Sequence, residues 1–200
     1  MTATPPLEGG ELDGRRLRRE QNRDTVLDAM VELFREGVLQ PSSGEIAERA
    51  GLSPRSLFRY FEDVDDLHRA AIERQLARAR ALLDHRSSPD EPTATKIDAI
   101  VAARTRLFDA TAPAARSARS CAHRHPVIAA QVREARRYLH HQLRVLFAPE
   151  LEGRAGVLPA VDALCAFEAY ELMRFDQGLS RAAAAEALTT ALTALLVDSQ

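Results

Sequence analysis

Apolar residues return every three or four positions through successive stretches of this chain, the spacing that lines one face of a helix, and the pattern predicts an all-α protein. Over 16–34 the stripe holds Val26, Leu27, Met30, Val31 and Phe34, with Asp24, Asp28 and Glu32 outside it. A short second helix carries Ile46, Ala47 and Ala50 on one face and stops at Gly51, where the chain must turn with a positive φ. Leu52 fills the corner. Ser53 has the side-chain oxygen that caps a new helix, and Pro54 suits its first position. In that third helix Leu57 and Phe61, four apart, face inward, which leaves Arg55 with Arg59, and Ser56 with Tyr60, on the outer side. These three helices form a small unit, and a longer fourth helix over 65–84 follows.

The stretch 86–92, with Pro89 and Pro92, breaks the pattern, and a second domain continues beyond it. Ile97, Ile100, Val101, Arg104 and Leu107 fall at helical intervals over 96–110, and Thr111, Ala112 and Pro113 are expected to end that helix. A shorter helix over 114–122 follows. Pro126 opens a longer one with Val127, Ile128, Val132, Leu139, Leu143 and Leu146 as core candidates, and 149–156 interrupts it. Two helices remain, 159–175 and 181–197, each apolar on more than one face. Val161, Leu164, Leu172, Leu188, Leu192 and Leu195 on these helices are the candidate dimer interface, a four-helix bundle made with a symmetry mate.

Three segments result. Residues 1–14, rich in Pro and Gly, have too little apolar content to pack and are expected to be a disordered tail. Residues 15–64 form an N-terminal three-helix, helix-turn-helix domain, the candidate for DNA binding, and residues 65–200 form a C-terminal helical domain, the candidate for dimerisation.

The outer side of the third helix shows hydrogen-bond donors in its N-terminal half, and such a helix fits the major groove, where arginine reads guanine edges and hydroxyls meet phosphates. Ser42, Ser53, Arg55, Ser56, Arg59 and Tyr60 are the candidate DNA contacts. The basic run Arg15, Arg16, Arg18 and Arg19, ahead of the first helix, adds reach toward phosphates or the minor groove. Two heads one helical turn apart, about 34–36 Å, match the halves of a palindromic operator, so double-stranded operator DNA and a second copy of the chain are the expected partners.

From Gly44 to Phe61 the chain resembles the tetracycline-repressor (TetR-like) family of bacterial transcription regulators, whose pattern runs Ile-Ala, two residues, Ala-Gly-Val-Ser, then Leu-Tyr-aromatic-Phe and an acidic-Leu pair. The match covers about the first third of the chain. Three positions depart from it: Val64 stands where the family usually has a phosphate-contacting lysine, Phe58 replaces a tyrosine, and Ser43 takes a usually apolar place. The resemblance implies a repressor released from its operator by a small-molecule effector held among the central helices, with the last two helices forming the dimer. Leu107, Phe108, Arg119, Cys121, Val132, Arg136, Tyr170 and Arg174 are the candidate pocket residues.

Charge narrows the binding mode. Residues 15–61 carry nine arginines against seven carboxylates, whereas the whole chain has net charge −2 and pI near 6.3, so selective binding is expected rather than a generic nucleic-acid coat. Twenty-six arginines accompany one lysine, Lys96. Cys121 and Cys165 match no metal spacing and read as free thiols. His123 and His125 lack a neighbouring third ligand, and the adjacent His140 and His141 point about 100° apart, so no metal and no cofactor is assigned. No apolar run reaches the roughly 20 residues needed to span a bilayer, which predicts a cytoplasmic protein. No phosphate-binding glycine loop or Gly-x-Ser-x-Gly setting is present, and the chain is not read as an enzyme. Two other readings remain open: a helix-turn-helix protein that acts through protein contacts, and a regulator that needs no ligand.

Overall fold

In a computed structural model, which describes residues 9–197, the chain forms ten α-helices among the described residues and divides into two compact units. The first unit holds residues up to Gln75 together with Pro113–His125; the second holds Leu76–Ala112 and the chain from Pro126 onward. The boundary therefore differs from a cut at 64/65: the start of helix four belongs with the head.

In the first unit, α1 spans Gly9–Arg35, α2 Ser43–Arg49 and α3 Pro54–Leu57, and α4, Val64–Ala79, begins here. The stripe of α1 is the floor of the core: Val26, Leu27, Met30 and Phe34 are buried with Ile46 and Ala47 of α2, Leu57, and Phe61. Leu67, Ala70 and Ala71 of α4 and Ala114 close it, so the three predicted helices complete their core with residues the sequence pattern assigned elsewhere. Arg74 ties α4 to α1 through Asp24 at 2.8 Å and Asp28 at 3.1 Å. α1 starts at Gly9, inside the stretch expected to be a tail; residues 1–8 lie outside the described residues.

In the second unit α4 gives way to a tight turn at Arg80–Leu83. α5 spans Thr93–Cys121, α6 Pro126–Leu146, α7 Ala148–Leu151, α8 Val157–Leu164, α9 Phe167–Glu171 and α10 Arg181–Leu196. Its core joins Ile97, Ile100 and Val101 to Leu143, Leu146 and Phe147 of the α6 end, Val161 and Cys165, and Leu188, Leu192 and Leu196. No described helix is long and apolar enough to cross a membrane.

Two helix boundaries correct the sequence reading. α5 runs straight through Pro113, which was expected to end it. Proline removes one N–H and so frees the carbonyl four residues earlier; here that residue, Asp109, lies on the exposed side, where water can take the bond. The alanines on either side favour continuation of the helix. Conversely, the single helix expected over 159–175 is broken. Ala166 is extended (φ −80°, ψ 156°), and α9 ends in a wide turn at Leu172–Asp176 that closes with Gln177 N donating to the Leu172 carbonyl at 3.0 Å. The break lets Phe167 and Tyr170 meet the Phe108 ring, each at 5.6 Å between centroids. Burying each aromatic is worth about 1.5–3 kcal/mol, enough to offset the lost helical bonds.

Candidate nucleic-acid interface

The site is a corner followed by a short helix. Ala50 ends α2, Gly51 takes φ +67°, and Leu52 N returns to the Ala47 carbonyl at 2.9 Å. Ser53, extended at φ −80° and ψ 150°, accepts the Ser56 N–H at 3.3 Å with its side-chain oxygen and shares a 2.8 Å bond with the Ser56 hydroxyl. Ser42 caps α2 in the same way: its hydroxyl oxygen accepts the Glu45 N–H at 3.3 Å while its own N–H donates to Glu45 Oε2 at 2.8 Å, a reciprocal capping box. Those bonds from Ser42 hold the Glu45 carboxyl below the usual range. Both serines are exposed, but their hydroxyls already serve as caps.

α3 is only four residues long. Beyond Leu57 the chain tightens, with Tyr60 N and Phe61 N both donating to the Leu57 carbonyl at 2.9 and 3.1 Å. This turn keeps the inward pair Leu57 and Phe61 buried and leaves Arg55, Phe58 and Arg59 exposed and Tyr60 half-buried. Among the described residues neither Arg55 nor Arg59 has an ion-pair partner. Arg49 of α2 is different: it forks onto Glu36 at 2.7 and 2.8 Å, which raises the guanidinium and lowers the carboxyl from their ordinary values through that same bond.

α1 supplies two residues that sequence reasoning missed, Asn22 and Arg23, beside the expected Arg19. Asn22 Nδ2 donates to the Tyr60 hydroxyl oxygen at 3.0 Å, Arg23 lies 5.1 Å above the Phe61 ring, and Arg19 Nη2 reaches the Arg59 carbonyl at 3.5 Å. Residues 19, 22, 23 and 26 share one helix face, so the buried Val26 was the available signal. The basic run lies within α1 rather than ahead of it, a further correction. Arg16 pairs with Glu20 at 3.2 Å, Arg18 is exposed, and the side chain of Arg15 lies outside the described residues.

The candidate pocket residues do not form one group. Leu107, Phe108 and Tyr170 cluster in the second unit, with the Tyr170 hydroxyl donating to Asp109; burial and this bond push the phenol up to about 12. Val132 is half-buried, Arg136 is exposed and pairs with Glu168 at 3.4 Å, and Arg174 donates to the Leu179 carbonyl. Arg119 and Cys121 belong to the first unit. There Cys121 lines a cavity of about 310 Å³ with His68, Asp65, Arg124 and His125. Burial pulls His68 down to about 4, and its ring stacks on Phe34 at 5.7 Å. No group of three or more potential ligands among the described residues could hold a metal ion.

Of the dimer candidates, Val161, Leu188 and Leu192 are buried in the core of their own subunit. Leu164 and Leu195 are half-buried. Leu172 is 48% exposed, beside Phe175 at 62% on the same wide turn.

Comparison with known proteins places this geometry. Residues 26–71, from the α1 stripe to the first turns of α4, match the model of bacterial regulatory proteins, tetR family. No curated protein matches the chain. Among solved structures, a tetR-family transcriptional regulator from Streptomyces coelicolor is 19% identical with a TM-score of 0.65 over 88% of this chain and 79% of its own. A transcriptional regulator from Rhodococcus sp. Rha1 is 19% identical with a TM-score of 0.63 over 87% and 95%. The multidrug binding protein EbrR, solved with imidazole, is 17% identical with a TM-score of 0.63 over 89% and 96%. The chain shares the fold of these proteins.

Proposed function

We propose, from the match of residues 26–71 to the model of bacterial regulatory proteins of the tetR family, that this chain is a sequence-specific DNA-binding repressor that acts as a homodimer and leaves its operator when a small molecule binds the second unit. The observation that carries the reading is the outer side of the segment opening at Pro54. Among the described residues Arg55, on a short capped helix, and Arg59, in the turn after it, stand exposed without ion-pair partners above the buried Leu57 and Phe61, while neighbouring Arg49 is tied to Glu36. Arginines presented in this way can fork onto guanine edges, and the caps fix their register.

Phosphate contacts come from Tyr60 and from the α1 arginines, with Arg19 nearest the reading segment. These offset the departures at Phe58 and Val64. The homodimer rests on the exposed apolar pair Leu172 and Phe175 and on the exposed small residues of α10, Ala182, Ala187 and Ala194. The effector is supported by the fold shared with a multidrug binding protein solved with imidazole. A gel-shift titration on the promoter beside the chain's own gene tests the proposal: a retarded complex that survives excess unrelated DNA supports it, and equal affinity for both DNAs removes it.

A further inference from the structure

The inward side of α5 holds Ile97, Ile100, Val101, Leu107 and Phe108 together with two buried cations, Lys96, which pairs with Glu150 at 2.6 Å, and Arg104. Arg104 stands in the middle of this side and is 1% exposed. Its Nη1 donates to Gln142 Oε1 and its Nη2 to the Leu139 carbonyl, both at 2.9 Å, and both acceptors are neutral. Nε is buried and has no partner. The ionisable groups that act on it supply no touching anion. Burial pushes the Cys165 thiol up to about 12, so it stays neutral, and burial together with the Arg104 charge lowers His85, so it stays neutral too. Asp162 pairs with His140 at 3.2 Å.

A guanidinium cannot shed its proton as a buried lysine can, so the second unit encloses a full positive charge without a counter-ion. Burying an unpaired charge is costly, and apolar residues of similar volume commonly serve a fold better at such a position. Arg104 ties α5 to α6 and, through Gln142 Nε2 donating to the Leu83 carbonyl at 2.8 Å, to the turn after α4, but these neutral acceptors leave its charge unbalanced.

We infer that Arg104 anchors the effector site of the second unit and that the effector is an apolar molecule carrying a single carboxylate. The inference rests on the proposed reading of that unit as effector-binding. Gln142 and Leu139 use one N–H on each Nη nitrogen. The Nε–H and one N–H on each Nη remain unused, donors that a carboxylate can accept through its two oxygens. One charge then balances one charge, whereas a dianionic phosphate would bring an excess negative charge into the same apolar surroundings. Leu107 and Phe108, one turn further along the same face, provide apolar surface for the rest of the molecule.

The test uses the full chain, with hexanoate, octanoate and benzoate as probes and octanol and benzamide as their neutral counterparts. Thermal unfolding and operator titration are both read. The inference expects at least one carboxylate to raise the melting temperature and weaken operator binding, its neutral counterpart to do neither, and Arg104→Met to bind that carboxylate at least about tenfold more weakly. Arg104→Gln, which keeps a hydrogen-bonding side chain without the charge, shows the same loss and serves where the methionine variant does not fold. Three carboxylates without effect on the wild-type chain, or equal effects on wild type and Arg104→Gln, overturn it. Operator release by a neutral compound alone leaves the effector reading standing and removes Arg104 as its anchor. If no operator is bound at all, the regulator reading falls, and the melting shifts still decide whether Arg104 holds a carboxylate.

Discussion

The Asn22 amide donates to the Tyr60 hydroxyl oxygen at 3.0 Å, across 38 residues of chain, and so fixes which way the tyrosine's own proton can point. With its oxygen lone pair engaged by α1, the O–H is left to donate outward, the direction a phosphate contact needs. Asn22→Ala and Tyr60→Phe should each weaken operator binding by about fivefold to tenfold, and the double variant should be no worse than either single one. Asn22→Asp reverses the bond, because a carboxylate accepts the tyrosine proton, and its cost should shrink in the Tyr60→Phe background. Additive losses in this cycle would show that Asn22 does not act through Tyr60.

Leu172 and Leu192 separate assembly from folding. Leu172 is 48% exposed on the wide turn after α9, so Leu172→Glu should give a folded monomer whose urea midpoint no longer depends on protein concentration and whose operator binding is weakened. Leu192 is 0% exposed, and Leu192→Glu should destabilise the chain itself by more than about 3 kcal/mol through an unpaired buried charge. Sedimentation and urea unfolding of the two variants check this. A Leu172→Glu chain that stays dimeric moves the interface elsewhere.

His68 gives the first unit a pH dependence. Burial holds its folded pKa at about 4, below the ordinary 6.5, so as pH falls the unfolded chain takes up the proton first. The contribution to stability is therefore complete above about pH 6.5, declines as pH falls toward about 4, and falls no further below that. A shift of this size corresponds to roughly 3 kcal/mol. Urea unfolding between pH 7 and 4 should show a steeper decline for wild type than for His68→Leu; parallel curves would assign the acid sensitivity to other groups.

Legibility in the sequence followed the range of the interaction. The corner from Ile46 to Phe61 was readable because every device in it is local: Gly51 for the turn, Ser53 for the cap, Pro54 for the first helical position, and Leu57 and Phe61 one turn apart. Asn22 was not readable, since its role depends on a partner that only the folded head brings to it. The same holds for Pro113, tolerated where Asp109, whose carbonyl it frees, lies on the exposed side of α5, and for Ala166, bent where Phe167 and Tyr170 meet Phe108. Leu188 and Leu192 had the right periodicity for a partner face, but periodicity does not say whether the partner is another helix of the same subunit. Arg104 shows the reverse case: it fell in a core stripe by spacing, and the unpaired Nε gives that placement a chemical meaning.

The most direct measurement for the central claim is a footprint of the full-length protein on its operator, repeated with Arg55→Ala and Arg59→Ala. Two protected half-sites about 34–36 Å apart are expected, with each variant losing about 1–3 kcal/mol of affinity and relaxing the sequence requirement at one position of each half-site. Protection that is independent of DNA sequence, or that both variants retain in full, would contradict the assignment of the segment opening at Pro54 as the DNA-reading surface.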